Sequence, residues 1–203
     1  HWSSLYQLDV YFKGYPSEMP QPMRRPLVEP CRVIPTKDAL GEHNGAVVEI
    51  AKNYQEIQGN AVEGNRSSET TVYMTTVSPG KMKGYHGHLL RTSTYTLVGG
   101  KAEVHMLNLF TQELLVYKID ADSAPYRTIT EPGYFIALKN IGESVATFVG
   151  VPNPPYNPQV NEQLELKPHE VEAAITNKIV KVRRFSCTLE GVNELPDNGI
   201  LSA

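Results

Sequence analysis

From Cys31 onward the chain is written as short β-branched and aromatic runs broken by Gly, Pro, Asn and Asp, and this punctuation constrains its fold more than any other feature. The runs read CRVIP, GAVVEIA, TTVYMTTV, STYTLVGG, KAEVHMLNL, ELLVYKI, TITEP, YFIAL and VATFVGV. None is long enough for a helix of ordinary length. Several alternate, with Val72, Met74 and Thr76 on one parity and Tyr73, Thr75 and Val77 on the other, as expected of sheets with one face in a core. Eight or nine strands at this spacing predict an all-β protein, most simply a double-sheet jelly roll. Before them, Pro16, Pro20, Pro22, Pro26 and Pro30 disfavour both helix and central strand and predict an extended N-terminal arm lying on a neighbouring surface. One short C-terminal helix is expected from Pro168 through HEVEAAITNK, followed by the basic, strand-like tail IVKVRRF. The expected organisation is an arm over 1–30, a barrel over 31–165, and a helix with tail over 166–203 packed on it.

Charge and composition narrow the partners. Nineteen Lys and Arg against 22 Asp and Glu give a net charge of -3, which offers no footprint for a phosphate backbone or an anionic lipid surface. Neither nucleic acid nor membrane is expected as a partner, and no apolar run approaches the length of a membrane span. The first residues, His1 to Tyr11, lack a basic region followed by an apolar core, so a cytoplasmic location is expected. Cys31 and Cys187 form no C-x-x-C pair and read as free thiols.

Chemistry concentrates in Pro79-Gly-Lys-Met-Lys-Gly-Tyr-His-Gly-His, where His86 and His88 are two residues apart and, on a strand, point to the same face. Two imidazoles in one pocket suit proton abstraction and return, and they also suit a metal; hydrogen bonding inside a barrel mouth is the structural alternative. Lys83 and Arg91 flank the pair as possible oxyanion or diphosphate partners, or as solvated rim charges. Tyr73, Tyr85 and Tyr95 offer an acid or a stacking surface. Tyr95 is favoured for the pocket because it shares a face with Ser93 and Leu97. The turn Pro152-Asn-Pro-Pro-Tyr156-Asn-Pro158 reads as loop geometry, and Lys181, Arg183 and Arg184 as a solvated or edge-protecting face.

The spacing Gly80, His86, His88, Ser93, Gly100 resembles the first motif of the cupin superfamily, and Pro132-Gly133, Ile136, Asn140 echoes the second. In that comparison Ser93 stands where metal-binding cupins carry glutamate, and Ile136 where they carry a third histidine. The closer resemblance is to the RmlC-like branch that needs no metal cofactor, the dTDP-4-dehydrorhamnose 3,5-epimerases and dTDP-4-keto-6-deoxyhexose 3,4-ketoisomerases. It is carried by Gly45-Ala-Val-Val-Glu49, Val72-Tyr-Met-Thr-Thr-Val-Ser-Pro-Gly80, Lys83-Gly-Tyr-His86, Glu131-Pro-Gly-Tyr134 and Val151-Pro-Asn-Pro-Pro-Tyr-Asn-Pro158. The resemblance implies a cupin double-stranded β-helix acting on a nucleotide-linked 4-keto-6-deoxy sugar, without cofactor, as a homodimer built through barrel edges and the arm. Implied roles are His86 as base, His88 as second acid/base, Tyr95 as a catalytic support, and Lys83, Arg91, Glu49, Tyr73 and Asn140 as substrate contacts. The family's catalytic tyrosine falls near Gly150, which with Ile136 supports an alternative: a degenerate cupin that binds a sugar or nucleotide sugar without turnover. A minor alternative is a metal-dependent enzyme whose site is completed by His105 or Glu103.

Overall fold

The computed structural model describes residues 11–196 apart from 13, 38, 51–70 and 156, so Tyr156 of the proline turn lies outside the described residues. Most of the chain is strand. In order these are β1 (Leu27–Pro30), β2 (Arg32–Lys37), β3 (His43–Glu49), β4 (Tyr73–Val77), β5 (Met82–His88), β6 (Thr92–Gly99) and β7 (Lys101–Asn108). They continue with β8 (Glu113–Asp120), β9 (Tyr126–Thr130), β10 (Phe135–Asn140), β11 (Ala146–Asn153), β12 (Gln163–Glu165), β13 (Lys181–Thr188) and β14 (Gly191–Glu194). A five-stranded sheet runs β1-β9-β6-β11-β4 and a seven-stranded sheet β12-β5-β10-β7-β8-β13-β14, while β2 and β3 pair only with each other among the described residues.

The two large sheets face each other because their strands carry apolar residues at alternate positions. Leu97 and Phe148 from one sheet pack with Val104, Met106, Tyr117, Ile136 and Leu138 from the other, forming the barrel core. The other face of the seven-stranded sheet is buried too. Leu107, Leu114, Val116, Phe135 and Ala137 lie under Phe12, Met19 and the helix Pro168–Thr176, which contributes Val171 and Ala174. That helix begins at the expected proline, and the Glu170 carboxylate accepts the Lys167 N–H at 2.7 Å at its first turn.

The structure adds detail at both ends. The N-terminal segment is not extended throughout: it contains a helical turn, Tyr15–Glu18, then β1 paired antiparallel with β9, and Phe12 and Met19 are buried on this chain's own barrel. The tail after the helix does not merely rest on the barrel. As β13 it joins the sheet parallel to β8, with Arg183 on the Glu194 carboxylate of β14 at 2.8 Å, a solvent-side pair as its composition suggests.

Candidate functional site

Strand β5 supplies the site, and its geometry depends on an irregularity. His86 is opposite Ile136 and Lys83 is opposite Leu138, so three residues of β5 step past two of β10. The extra residue is a β-bulge at Gly84–Tyr85, and it turns Lys83 and His86, which strict alternation would place on opposite faces, into the same barrel interior. Gly84 is required there: its φ is +106°, and a Cβ would strike the Ile136 carbonyl and lie 2.8 Å from the Ala137 Cα.

Inside the barrel, His86, His88, Lys83, Thr75, Tyr73 and Tyr95 share the interior faces of β4, β5 and β6. Lys83 donates to the Thr75 hydroxyl at 3.0 Å, and the Tyr73 and Tyr95 hydroxyls are 3.0 Å apart. The Tyr73 ring covers Gly150; a Cβ at that position would lie 2.6 Å from its Cε2. A phenol from β4 thus occupies the space that a side chain at 150 would fill. Burial, then the neighbouring Tyr73, raises the Tyr95 phenol well above its ordinary pKa, so it holds its proton.

A second tier comes from β12 and the residues before it, which sequence reasoning did not single out. Glu165 pairs opposite His86, and Gln163 opposite His88. The His86 Nδ1 lies 2.9 Å from the Gln163 amide nitrogen and 3.4 Å from Oε1 of Glu165. Arg91 donates from Nε to Nδ1 of His88 at 3.1 Å, forms an ion pair with Glu162, and approaches the Gln163 carbonyl oxygen at 3.5 Å. His88 is held far below the ordinary imidazole range, at a pKa of about 3, by burial first and then by the charges of Arg91 and His86. A cavity of about 270 Å³, lined by residues 158–163, abuts Glu162 and Gln163; a larger one of about 310 Å³, beside Lys118 and Cys187, is three strands from β5.

Two expected site residues are elsewhere, and a third is in the site in another setting. Asn140 is buried and shapes a turn, donating to the Val77 and Ser144 carbonyls and accepting the Gly142 N–H. Glu49 lies in the β2–β3 pair, its carbonyl taking a bond from Arg127 on the outer face of the five-stranded sheet, outside the barrel. Arg91 is no rim charge but a buried one, paired with Glu162. The route by which His105 or Glu103 would complete a metal site is closed by geometry: His105 faces away from the barrel interior, bonded to Tyr85 at 2.7 Å and Glu103 at 2.9 Å on the opposite face from His86. Among the described residues no three His, Cys, Asp or Glu side chains group as a metal site.

The fold is the jelly roll of RmlC-like cupins, with polar residues converging inside one barrel. Residues 43–163, more than half of the chain, match the Polysaccharide biosynthesis C-terminal domain family, and the protein belongs to it. Among solved structures the chain is similar to ChmJ, a 3'-monoepimerase from Streptomyces bikiniensis in complex with dTDP-quinovose, at 12% identity over 80% of this chain and 81% of that one, with a TM-score of 0.58. It is also similar to a dTDP sugar isomerase from Desulfovibrio desulfuricans, at 14% identity over 70% and 83%, with a TM-score of 0.54. The capsular polysaccharide assembling protein CapF of Staphylococcus aureus aligns at 20% identity over 48% of this chain, with a TM-score of 0.45, and the match spans only 28% of CapF. No curated protein matches the sequence.

Proposed function

We propose that this protein is a nucleotide-sugar epimerase or isomerase in which His86 removes a proton next to the keto group of a dTDP-linked 4-keto-6-deoxy sugar. The observation that carries this reading is the double contact at Nδ1 of His86, an amide donor in Gln163 and a carboxylate acceptor in Glu165. With Nδ1 accepting from Gln163, the ring proton is on Nε2 and the imidazole is no base there. With Nδ1–H donating to Glu165, the lone pair is on Nε2 and the imidazole can accept a proton there. Glu165 therefore sets the reactive tautomer. Lys83 is placed to take the enolate oxygen or a phosphate after leaving Thr75, and the protonated Tyr95, joined to Tyr73, returns a proton. No metal or other cofactor enters this scheme.

The test is deuterium wash-in from D2O at the carbons flanking the keto group of a dTDP-linked 4-keto-6-deoxy sugar, followed by NMR. Exchange with the wild type, its loss in His86→Asn, and a fall of about 100-fold in Glu165→Gln are the expected results. A thermal shift with dTDP but no exchange would instead favour the non-catalytic binder, whose support is Ile136 on the strand opposite His86.

We further propose that the protein acts in the cytoplasm as a homodimer; no helix of the described residues is long and apolar enough to cross a membrane. The expected division into arm, barrel and C-terminal unit stands as part of this proposal, with the barrel as the reaction chamber.

A further inference from the structure

The two histidines of the His-Gly-His run are chemically unequal. Nδ1 of His88 lies 3.1 Å from Nε of Arg91, and a guanidinium has hydrogens to give but no lone pair to accept with. Nδ1 must accept, so the single ring proton of His88 is on Nε2. Arg91 cannot rotate freely away, because its other end is paired with Glu162; the three side chains are 7%, 8% and 9% exposed for His88, Arg91 and Glu162. Adding a proton at Nδ1 would set two N–H donors against each other and a second cation beside the guanidinium. The charged and titratable groups facing the ring are Arg91, His86 on the same strand, and Glu162, whose Oε1 is 3.5 Å from Nδ1 but already engaged by Arg91. His86 differs in the nature of its donor: the Gln163 side chain is a neutral amide that carries an acceptor oxygen as well as its N–H groups, and the Glu165 carboxylate beside it is not engaged by a guanidinium.

We propose that His88 works as a fixed neutral N–H donor, aiming Nε2–H at the oxygen where charge develops, and that Arg91 is the positioning residue that sets its tautomer. The inference rests on the proton-transfer reading above and deepens it. In the step concerned, the C–H bond next to the ketone breaks and its proton passes to Nε2 of His86. The C–H electron pair forms the C=C bond of the enolate, and the carbonyl π pair moves to oxygen. His88 stabilises that oxyanion by a hydrogen bond without giving up its proton, and the return proton goes to carbon from another acid. A neutral imidazole in this role spares the reaction a competing proton carrier and keeps the donor constant across the working pH range.

Two measurements decide it. Imidazole ¹⁵N NMR of the ligand-free wild-type protein, with the His88 signals assigned through His88→Asn, should show Nε2 protonated and Nδ1 bare from pH 8 to pH 5; in Arg91→Met the ring should titrate or mix tautomers. An Nδ1–H or cationic His88 in the wild type would overturn the proposal whatever the activity. In the deuterium wash-in assay, His88→Ala should lose about 100-fold, as removal of one oxyanion donor does. His88→Asn, which keeps a neutral N–H but cannot carry a proton, should recover at least about tenfold of that with an unchanged pH profile. Equal loss in both variants would mark His88 as a proton carrier and sink the assignment. Absence of exchange in the wild type would remove the reading on which the role rests, while the NMR result would still report the tautomer that Arg91 imposes.

Discussion

At the scale of single residues, the site depends on Gly84 as much as on the histidines it precedes. Its φ of +106° lies in the region that side chains avoid, and the atoms a Cβ would meet belong to the backbone of β10, which cannot move aside cheaply. Gly84→Ala is therefore expected to destabilise the fold by about 2–4 kcal/mol, measured by urea denaturation. It should also separate Lys83 from His86 by disturbing the bulge. A variant within about 0.5 kcal/mol of wild type would show that the bulge is not needed. His88 supplies a pH signature. Its folded pKa is lowered from 6.5 to about 3, so between those values the unfolded chain binds a proton that the native state refuses. Stability is intact above pH 6.5 and is lost as pH falls towards 3. The ceiling is about 1.4 kcal/mol per pH unit from this one group. The half-buried Glu103, whose carboxyl is lowered by its hydrogen bond from His105, acts in the same direction, so the comparison must be between variants. Denaturation midpoints of His88→Asn should fall less steeply than those of the wild type between pH 6.5 and 4; parallel curves would deny His88 its share.

At the scale of elements, the alternating runs foretold most strands because period-two burial is local information. The described fold adds what periodicity does not carry: β1, β12 and β14 are three or four residues long, too short to show a pattern. The placement of Lys83 was hidden by the bulge, since alternation puts residues three apart on opposite faces. Glu165, Gln163 and Glu162 were hidden for another reason. They meet His86, His88 and Arg91 only because β12 pairs across more than seventy residues of chain, and no local spacing encodes that pairing. His105 illustrates the reverse: its residue type suggested the pocket, while its position in β7, beside the interior-facing Met106, put it on the outer face. Strand β1 gives the prediction at this scale. Glu29 on β1 pairs at 2.7 Å with Arg127 on β9, and Arg127 is 1% exposed while Glu29 retains access to water. Removing the carboxylate leaves a buried cation with backbone oxygens of Glu49 and Ile50 for acceptors, whereas removing the arginine leaves a carboxylate that solvent can reach. Glu29→Ala should cost about 2–3 kcal/mol and Arg127→Met less, by urea denaturation. The opposite order would mean that the pair is held by packing of the arginine stem.

At the scale of the whole molecule, two surfaces remain uncovered among the described residues, and each is of the kind the other would cover. The β2–β3 pair joins neither large sheet and meets the five-stranded one through the Glu49 carbonyl at its end; Val33 at 46% and Ile34 at 39% exposure are neighbours on opposite faces, so neither face of the pair is buried. Two strands alone are at best marginally stable in water. The five-stranded sheet ends at β4, which has a neighbour on one side only, and Met74 on its outward side is 69% exposed, with Val98 of β6 at 41%. The proposed homodimer would meet both conditions at once if a two-fold arrangement set the hairpin of each protomer against the outer sheet and edge of the other. Such a dimer would have its seam at β4, the strand that carries Tyr73 and Thr75. Light scattering behind a sizing column should give a dimer for the wild type at micromolar concentration. Val47→Glu on the hairpin and Met74→Glu on the sheet should each shift it to monomer, with lower thermal stability that no longer depends on protein concentration. The paired variants are the discriminating step. If one of them dissociates the dimer and the other does not, the hairpin and the sheet face do not meet, and the two surfaces must be covered by different partners.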